Sequence, residues 1–388
     1  MAKGIAVFTT ESDSAQAGRE LGEKVRKELA DAPPDALVVF ASAQFDYVRL
    51  LTAIKETCQP AILVGSSSAG EFTGQQRGEG TACALAIWAP EMHFAVGLGR
   101  GVGADRAGAA RDVIASFAGV DSHEYPYRAA LVMTDALAGH ADDLIEQLTL
   151  LTAAKYQFAG GGAGDDARFS RTHVFCGVEA HTDAVVALEM LSRKPLGVGV
   201  SHGWVPGSET LRVTEARGMR VASFNGMPAA EAFEEYARET GQSFDRAQPL
   251  PFFLHNILGI QTGDGYRLRV PLSVDDAGGV SCAAEVPAGA SVRIMKTTNE
   301  SAVAAATTAA SGAIKALGGG TPGVALFFDC VATRLRMGDV FGYELDRIAR
   351  SLGDAQFIGC NTYGQIARGE GQFSGFHNCT AVLLVLPA

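Results

Sequence analysis

Three glycine-rich loops carry most of the polar side chains in this chain that could take part in chemistry. They are residues 65–71 (GSSSAGE), 160–166 (GGGAGDD) and 359–365 (GCNTYGQ). Glycine accepts positive φ and lets a ligand or a second backbone approach closely. Hydroxyl, amide and carboxylate groups beside such glycines can hydrogen-bond a small molecule. The candidate ligand-binding residues are Ser67, Gly70, Gly164, Asp165, Asn361, Thr362, Tyr363, Gly364 and Gln365.

The same loops also have a purely structural interpretation. Asp and Asn side chains commonly bond the backbone of their own turn. The residues between the shared glycines change from three serines to three glycines to Cys-Asn-Thr, so the shape of the turn is what repeats. Beyond the loops, Arg334 and Arg336 follow a predicted strand and could meet a ligand carboxylate or lie on a solvated surface.

Catalysis has one candidate in the sequence, a serine hydrolase that uses residues 66–68. The segment comes near the strand–turn–helix nucleophile elbow. A strand rather than a helix is expected after this loop, and the repeat partners of Ser67 are Gly161 and Asn361. The chain has neither a GxxxxGK[ST] phosphate loop nor a GxGxxG between a strand and a helix. We therefore predict a protein that is not an enzyme, with the hydrolase as an alternative.

Each loop lies in the same order of elements: a hydrophobic strand, an amphipathic helix, a short strand, the loop and another strand. This internal repetition predicts an α/β (α+β) fold of two pseudo-symmetric halves, with mixed or antiparallel sheets flanked by helices. Short connections join strands near 81–87 and 93–98, and strands near 184–190 and 196–200. We expect each of these pairs to be antiparallel neighbours, because a parallel link needs a longer crossover.

Composition limits the class of protein and its partners. The 388 residues are 47% hydrophobic and 19% charged, which is typical of well-packed globular domains, and the length favours two of them. A net charge of −11 argues against a nucleic-acid surface. The N-terminus is too quickly polar for a signal peptide, and no apolar run is long enough for a membrane span. The seven cysteines contain no CxxC and indicate a reduced cytoplasm.

Several motifs together resemble the FIST family of sensory domains. They are residues 65–71 and 160–166, the segment SHGWVPG at 201–207, the segment GCNTYGQIA at 359–367, and FHNCT at 376–380. The resemblance covers nearly the whole chain and implies a FIST N-terminal domain over 1–222 and a FIST C-terminal domain over 223–388. It also implies a small-molecule sensor in bacterial signal transduction.

Free-standing FIST proteins of this size resemble haem-based nitric-oxide sensors that regulate a partner histidine kinase. This resemblance implies haem b as the cofactor, a cytoplasmic location, and a sensor histidine kinase, a small-molecule ligand and a second copy of the chain as partners. Haem iron needs an axial ligand, usually His. We expect His202, in a glycine-rich strand exit beside Trp204, to hold the iron, ahead of His377 and His140.

The same histidines have ordinary alternatives. His202 can cap its turn, His377 can bond the carbonyls of the third loop, and His140 can lie exposed at a helix start. No CxxCH motif is present. A non-haem sensor of amino acids or related metabolites, which binds through Asn361, Tyr363 and Asp165, is therefore the alternative function.

Overall fold

The computed structural model describes residues 2–263, 265–369 and 375–388. The first unit of the fold spans residues 3–88. It contains β1 (Lys3–Thr9), α1 (Ser14–Glu28), β2 (Ala36–Ala41), α2 (Tyr47–Cys58), β3 (Ile62–Ser67), β4 (Glu71–Thr73), β5 (Arg77–Gly78) and β6 (Ala82–Trp88). Asp13 and Asp46 cap the two helices by accepting backbone N–H bonds of 2.9 and 3.1 Å.

A second unit repeats this order over residues 93–192. It contains β7 (His93–Arg100), α3 (Arg106–Ala115), β8 (Tyr127–Thr134), α4 (Ala141–Leu151), β9 (Gln157–Gly162), β10 (Val174–Cys176), β11 (Glu179–His181) and β12 (Ala184–Ser192). A short 3-10 turn, Ala136–Ala138, precedes α4.

The third unit begins with β13 (Gly197–Ser201) and is then interrupted by an inserted antiparallel sheet. The insert contains β14 (Val205–Pro206), β15 (Leu211–Arg217), β16 (Arg220–Phe224), β17 (Met227–Pro228), α5 (Ala229–Thr240), α6 (Leu250–Phe253), β18 (Asn256–Thr262), β19 (Gly265–Arg269), β20 (Pro271–Val274), β21 (Val280–Cys282) and β22 (Ser291–Lys296).

After the insert the third unit resumes with the same succession of elements. These are α7 (Asn299–Ala316), β23 (Pro322–Cys330), α8 (Val331–Met337), α9 (Gly342–Leu352), β24 (Gln356–Thr362), β25 (Gln365–Arg368), β26 (Gly375–His377) and β27 (Ala381–Pro387). The alanine-rich α7 packs closely on β13: a Cβ at Gly199 would lie 1.8 Å from the carbonyl oxygen of Ala309.

The three units exchange hairpins in a closed cycle. The first sheet has the order β1-β6-β2-β3-β10-β11, the second β26-β25-β9-β8-β12-β7, and the third β13-β27-β23-β24-β4-β5. Each unit thus builds four strands of its own sheet and gives a two-stranded hairpin to another. Because each hairpin follows a glycine-rich loop, the exchange brings all three loops to the centre of the molecule.

The inner faces of the three sheets share one apolar core, which includes Phe40, Leu85, Leu131, Phe328 and Leu384. Helices cover the outer faces: α1 and α2 the first sheet, α3 and α4 the second, α7 and α9 the third. The insert has a separate core rich in phenylalanine. Among the described residues, no helix has the length and apolar character that a membrane span requires.

The predicted fold class, with mixed sheets flanked by helices and internal pseudo-symmetry, is confirmed. The structure adds that the pseudo-symmetry relates three units, the third of which begins at β13. One strand-pairing prediction was wrong. β6 and β7 lie in different sheets, as do β12 and β13, because each short connection carries the chain from one unit to the next rather than closing a hairpin.

Candidate functional site

The three glycine-rich loops are interlocked by backbone hydrogen bonds around the pseudo-threefold axis. An N–H in each loop donates to a carbonyl oxygen in another. These bonds run from Ala69 to Asn361 (3.0 Å), from Gly164 to Ser67 (3.0 Å) and from Tyr363 to Gly162 (2.9 Å). A backbone fixed in this way cannot move one loop without disturbing the other two.

The strand registers decide which loop positions correspond. Ser67, Gly162 and Asn361 pair with the equivalent ends of β2, β8 and β23. It follows that Gly70 and Gly364, which have φ of +127° and +104°, correspond to each other and to Asp165. The residue of the second loop that corresponds to Ser67 is therefore Gly162 and not Gly161, and Gly164 corresponds to Ala69 and Tyr363.

A polar groove lies where the first loop meets the third unit, and we call it the Arg334 site. Glu71, Asn361 and Arg334 line its cavity of about 570 Å³, and Gly70 lies next to Asn361 and Arg334. A Cβ at Gly70 would lie 2.9 Å from Asn361 Oδ1 and 3.3 Å from Arg334 Cδ. Glycine is therefore required at position 70 because the two polar side chains pack over its backbone.

Two buried donors at the Arg334 site lack a hydrogen-bond partner within the described chain. They are Nδ2 of Asn361 and Nε of Arg334. The Arg334 side chain is 14% exposed and forms an ion pair through Nη1 with Glu79 at the groove mouth. A buried donor without a partner is costly, so its presence beside a cavity favours an acceptor group of a ligand.

Glu71 forms the floor of this groove. It is buried and accepts hydrogen bonds from the hydroxyls of Ser68 and Thr81, the latter at 2.6 Å. Burial raises the pKa of the Glu71 carboxyl to about 7, an effect that the two hydroxyls partly oppose. The groove thus has a floor that is largely neutral at mildly acidic pH and a wall with cationic and amide donors.

A second groove of about 470 Å³ occupies the equivalent position between the first two units. Tyr47, Asp165 and His173 line it. Oδ1 of the neighbouring Asp166 and Nδ1 of His173 are buried without a hydrogen-bond partner in the described part of the chain. Burial raises the pKa of the Tyr47 hydroxyl above its usual value. The orphaned atoms include an anionic acceptor, so this groove differs in chemistry from the Arg334 site.

The third equivalent position is filled by the insert. Arg269 of β19 is buried there, forms an ion pair with Asp142 of α4, and donates to the carbonyl oxygen of Phe376 at 3.1 Å. The Asp142 carboxylate also accepts the N–H of Phe376 at 3.1 Å. The pseudo-symmetric protein therefore keeps two of its three positions as grooves and uses the third to hold the insert.

Most of the remaining predicted ligand residues bond within the protein. The Ser67 hydroxyl accepts the N–H of His173 at 2.9 Å. Thr362 accepts from the Gln365 amide at 2.9 Å, and Gln365 in turn accepts the N–H of Thr380 at 3.1 Å. These side chains shape the loops and do not line the Arg334 site.

Asp165 and Tyr363 also bind to each other, through the tyrosine hydroxyl. Asp165 further accepts three backbone N–H groups of its own loop, from Phe169, Ser170 and Arg171, at 2.7–2.8 Å. The exposed ring of Phe169 stacks on Tyr363 with 4.3 Å between centroids. Asp165 thus serves mainly as a loop cap, and Tyr363 joins the second and third loops.

His202 and Trp204 are already engaged where the sequence predicts a haem pocket. Nε2 of His202 lies 3.2 Å from the carbonyl oxygen of Tyr266, and Nδ1 accepts the N–H of Trp204 at 3.3 Å. Trp204 is buried against Met295 and Cys379. Iron would have to displace one of these hydrogen bonds, so the residues as arranged do not fit an axial haem site.

The other two predicted haem residues occupy different surroundings. His377 is buried and pairs with Gln365 in the β25–β26 ladder. Nδ1 of His140 lies 3.1 Å from the carboxylate of Glu285, with the side chain about half exposed. Within the described residues no group of three or more His, Cys, Asp or Glu side chains could hold a metal ion.

The sequence identified Asn361, Gly70 and Arg334 separately but did not bring them together. Glu71 was quoted only as part of a motif, and Tyr47 and His173 were not considered as site residues. One signal for Glu71 was present: a carboxylate directly before a strand in a glycine-rich loop. Nothing local marks Tyr47 or His173, because each reaches its groove only through the packing of two units.

The structure thus defines a class: three interlocked α/β units with ligand-sized polar grooves between them. Family models for the FIST N domain and the FIST C domain match residues 35–227 and 229–368. The chain belongs to the FIST family, whose domains are small-molecule sensors in signalling rather than enzymes. The boundary at residue 222 stays a prediction.

Solved structures with a similar course of the chain are distant. Cyanuric acid hydrolase from A. caulinodans is 9% identical with a TM-score of 0.35, and 99% of each chain is covered. A second cyanuric acid hydrolase is 8% identical with a TM-score of 0.34 over 100% of both chains. T. maritima PurL with AMPPCP is 11% identical with a TM-score of 0.23, covering 99% of this chain and 72% of that one. These similarities support no inference about activity. A comparison with curated protein sequences finds no match.

Proposed function

We propose that this FIST protein senses a small molecule with a carboxylate group, which binds at the Arg334 site. The observation that carries the proposal is the pair of buried, unpartnered donors, Asn361 Nδ2 and Arg334 Nε, whose side chains both pack over Gly70. Both are N–H groups, one of them cationic, and a carboxylate matches them in charge and geometry. The amino acids and related metabolites expected from the sequence carry this group.

The contact between Arg334 and Glu79 supports the same chemistry. Glu79 is 68% exposed and Arg334 is 14% exposed, so water on the Glu79 side screens this ion pair. A ligand carboxylate can therefore replace Glu79 at little cost while also reaching the two buried donors. At mildly acidic pH the largely neutral floor at Glu71 reduces repulsion of an incoming anion.

Calorimetric titration tests the proposal with the standard L-amino acids, small dicarboxylates and the matching carboxamides as probes. We expect at least one carboxylate to bind and its amide to bind more weakly. Arg334→Gln removes a charged hydrogen bond worth about 1.5–3 kcal/mol, which corresponds to a roughly 10- to 100-fold loss of affinity. The exposed Arg350 on α9 provides the control, and Arg350→Gln should bind like the wild type. Equal affinity in the Arg334→Gln variant would refute this site.

Haem b, nitric oxide as the signal and a partner histidine kinase stay predictions from the family resemblance. Protein expressed with a haem precursor would show a strong Soret band if haem binds, and His202→Ala should weaken it if His202 holds the iron. Autophosphorylation of a candidate kinase with and without this protein tests the partner. Stoichiometric haem together with an inert Arg334 site would replace the carboxylate proposal.

A further inference from the structure

Two cysteines meet in the interior of the third unit. Cys330 ends β23 and Cys379 lies two residues before the start of β27, and these strands pair in antiparallel register with Phe328 opposite Val382. Both side chains are buried, with 3% and 5% exposure, in the same apolar cluster. This register puts Cys330 and Cys379 next to each other where the two strands meet, and Cys379 is the neighbour that most affects the pKa of the Cys330 thiol.

The second unit shows independently that these two positions are adjacent. Asp135 and Asp183 occupy the positions that correspond to Cys330 and Cys379. There the N–H of Asp183 donates to the carboxylate of Asp135 at 2.6 Å. The fold thus directs the side chain at the position of Asp135 and Cys330 toward the backbone at the position of Asp183 and Cys379. Of the three units, only the third has cysteine at both positions.

The surroundings give the two thiols different roles. Hydrogen bonds from the thiol and the N–H of Cys379 lower the pKa of Cys330 below its usual value. The pKa of Cys379 is raised, chiefly because its thiol donates to Cys330 and also because it is buried. A thiolate is the reactive form of cysteine, so the lower pKa favours Cys330 as the nucleophile and Cys379 as the partner that resolves its oxidised form.

We propose that Cys330 and Cys379 are a redox modification site that a peroxide converts into an intramolecular disulfide. The Cys330 thiolate attacks one peroxide oxygen, the O–O bond breaks, and water leaves with a proton from solution. The thiol of Cys379 then attacks the sulfur of the Cys330 sulfenic acid, the S–O bond breaks and a second water leaves. In total the two thiols lose two electrons and form one S–S bond, and one hydrogen peroxide accepts these two electrons and becomes two waters.

The disulfide would join the start of α8 to the start of β27. Cys330 lies directly before α8, which also carries Arg334, and Cys379 lies against Trp204. The modification is nevertheless separate from ligand binding, because neither sulfur lines the Arg334 site. Its test therefore stands whether or not a carboxylate ligand is found.

Hydrogen peroxide treatment of the full chain, followed by alkylation under denaturing conditions and mass spectrometry, tests the proposal. The reduced chain has seven cysteines to alkylate. After peroxide we expect two fewer alkyl groups, one cross-linked peptide joining Cys330 to Cys379, and full reversal by a thiol reductant. These measurements need no variant, so they stand even where a substitution disturbs folding.

Variants assign the roles of the two thiols. Cys379→Ser should abolish the cross-link and leave a sulfenic acid on Cys330 that dimedone traps. Cys83 and Cys360 provide a control, because both are buried near each other and burial raises the pKa of each well above its usual value. Cys83→Ser should keep the cross-link. Over-oxidation without a cross-link, or a cross-link between Cys83 and Cys360, would overturn the proposal.

Discussion

Replacing Glu71 by Gln should flatten the dependence of stability on pH. The folded-state pKa of Glu71 is about 7, above its ordinary value of 4.5, because burial disfavours the charged carboxylate. The neutral carboxyl therefore stabilises the folded state fully below about pH 4.5, and this contribution is lost as pH rises through 7. At roughly 1.36 kcal/mol per pKa unit, this shift of the Glu71 pKa corresponds to about 3 kcal/mol of folding stability.

Urea unfolding of the wild type and of Glu71→Gln between pH 4.5 and 8 measures this contribution. Urea is preferred because guanidinium salts screen charge. Asp329 and Glu344, whose pKa values burial also raises, contribute to both proteins and cancel in the difference. As pH rises from 4.5 to 8, we expect the free energy of unfolding of Glu71→Gln to increase by about 3 kcal/mol relative to that of the wild type. The exposed Glu79→Gln control should follow the wild type. Parallel curves for wild type and Glu71→Gln would refute the reasoning.

Further substitutions test the attachment of the insert and the loop backbone. Asp142→Ala leaves the buried Arg269 without its partner and should lower the free energy of unfolding by about 3–5 kcal/mol. Asp143→Ala breaks a more exposed pair and should cost under about 1 kcal/mol; equal losses would contradict this account. Gly359→Ala should destabilise the protein strongly, because the new Cβ would lie 1.9 Å from a main-chain oxygen of β23. Gly312→Ala in α7 meets nothing closer than 3.8 Å, so it should raise the free energy of unfolding by up to about 1 kcal/mol. Thermal unfolding measures both variants.

Features with a local physical cause were predictable from the sequence. The loops were recognisable because Gly70 and Gly364 adopt backbone conformations that side chains rarely allow, so glycine recurs at both positions. The alanine-rich sequence of α7 favours a helix that packs closely on a sheet, since small side chains permit that approach. The order of strands and helices followed from their hydrophobic periodicity, and the order gave the fold class.

The grouping of side chains into sites was not predictable from the sequence, because it depends on which strand edges pair. The sequence of β4 predicts a strand but does not predict that it pairs with β24, which is separated from it by more than half of the chain. That single pairing brings Glu71 and Gly70 to Asn361 and Arg334. His202 shows the same limit: its glycine-rich setting is local, but the insert supplies the carbonyl oxygen of Tyr266 that engages its ring.

The sequence by itself determined the repeated α/β units, because hydrophobic periodicity and glycine at positive φ act over a few residues, and its motifs carried the resemblance to the family. Only the tertiary structure decided that the units exchange hairpins and that one equivalent position holds Arg269 while two remain grooves. The reason is that strand edges offer the same N–H and C=O groups whatever the sequence. Long-range packing of side chains therefore chooses the partner, and with it the composition of each site.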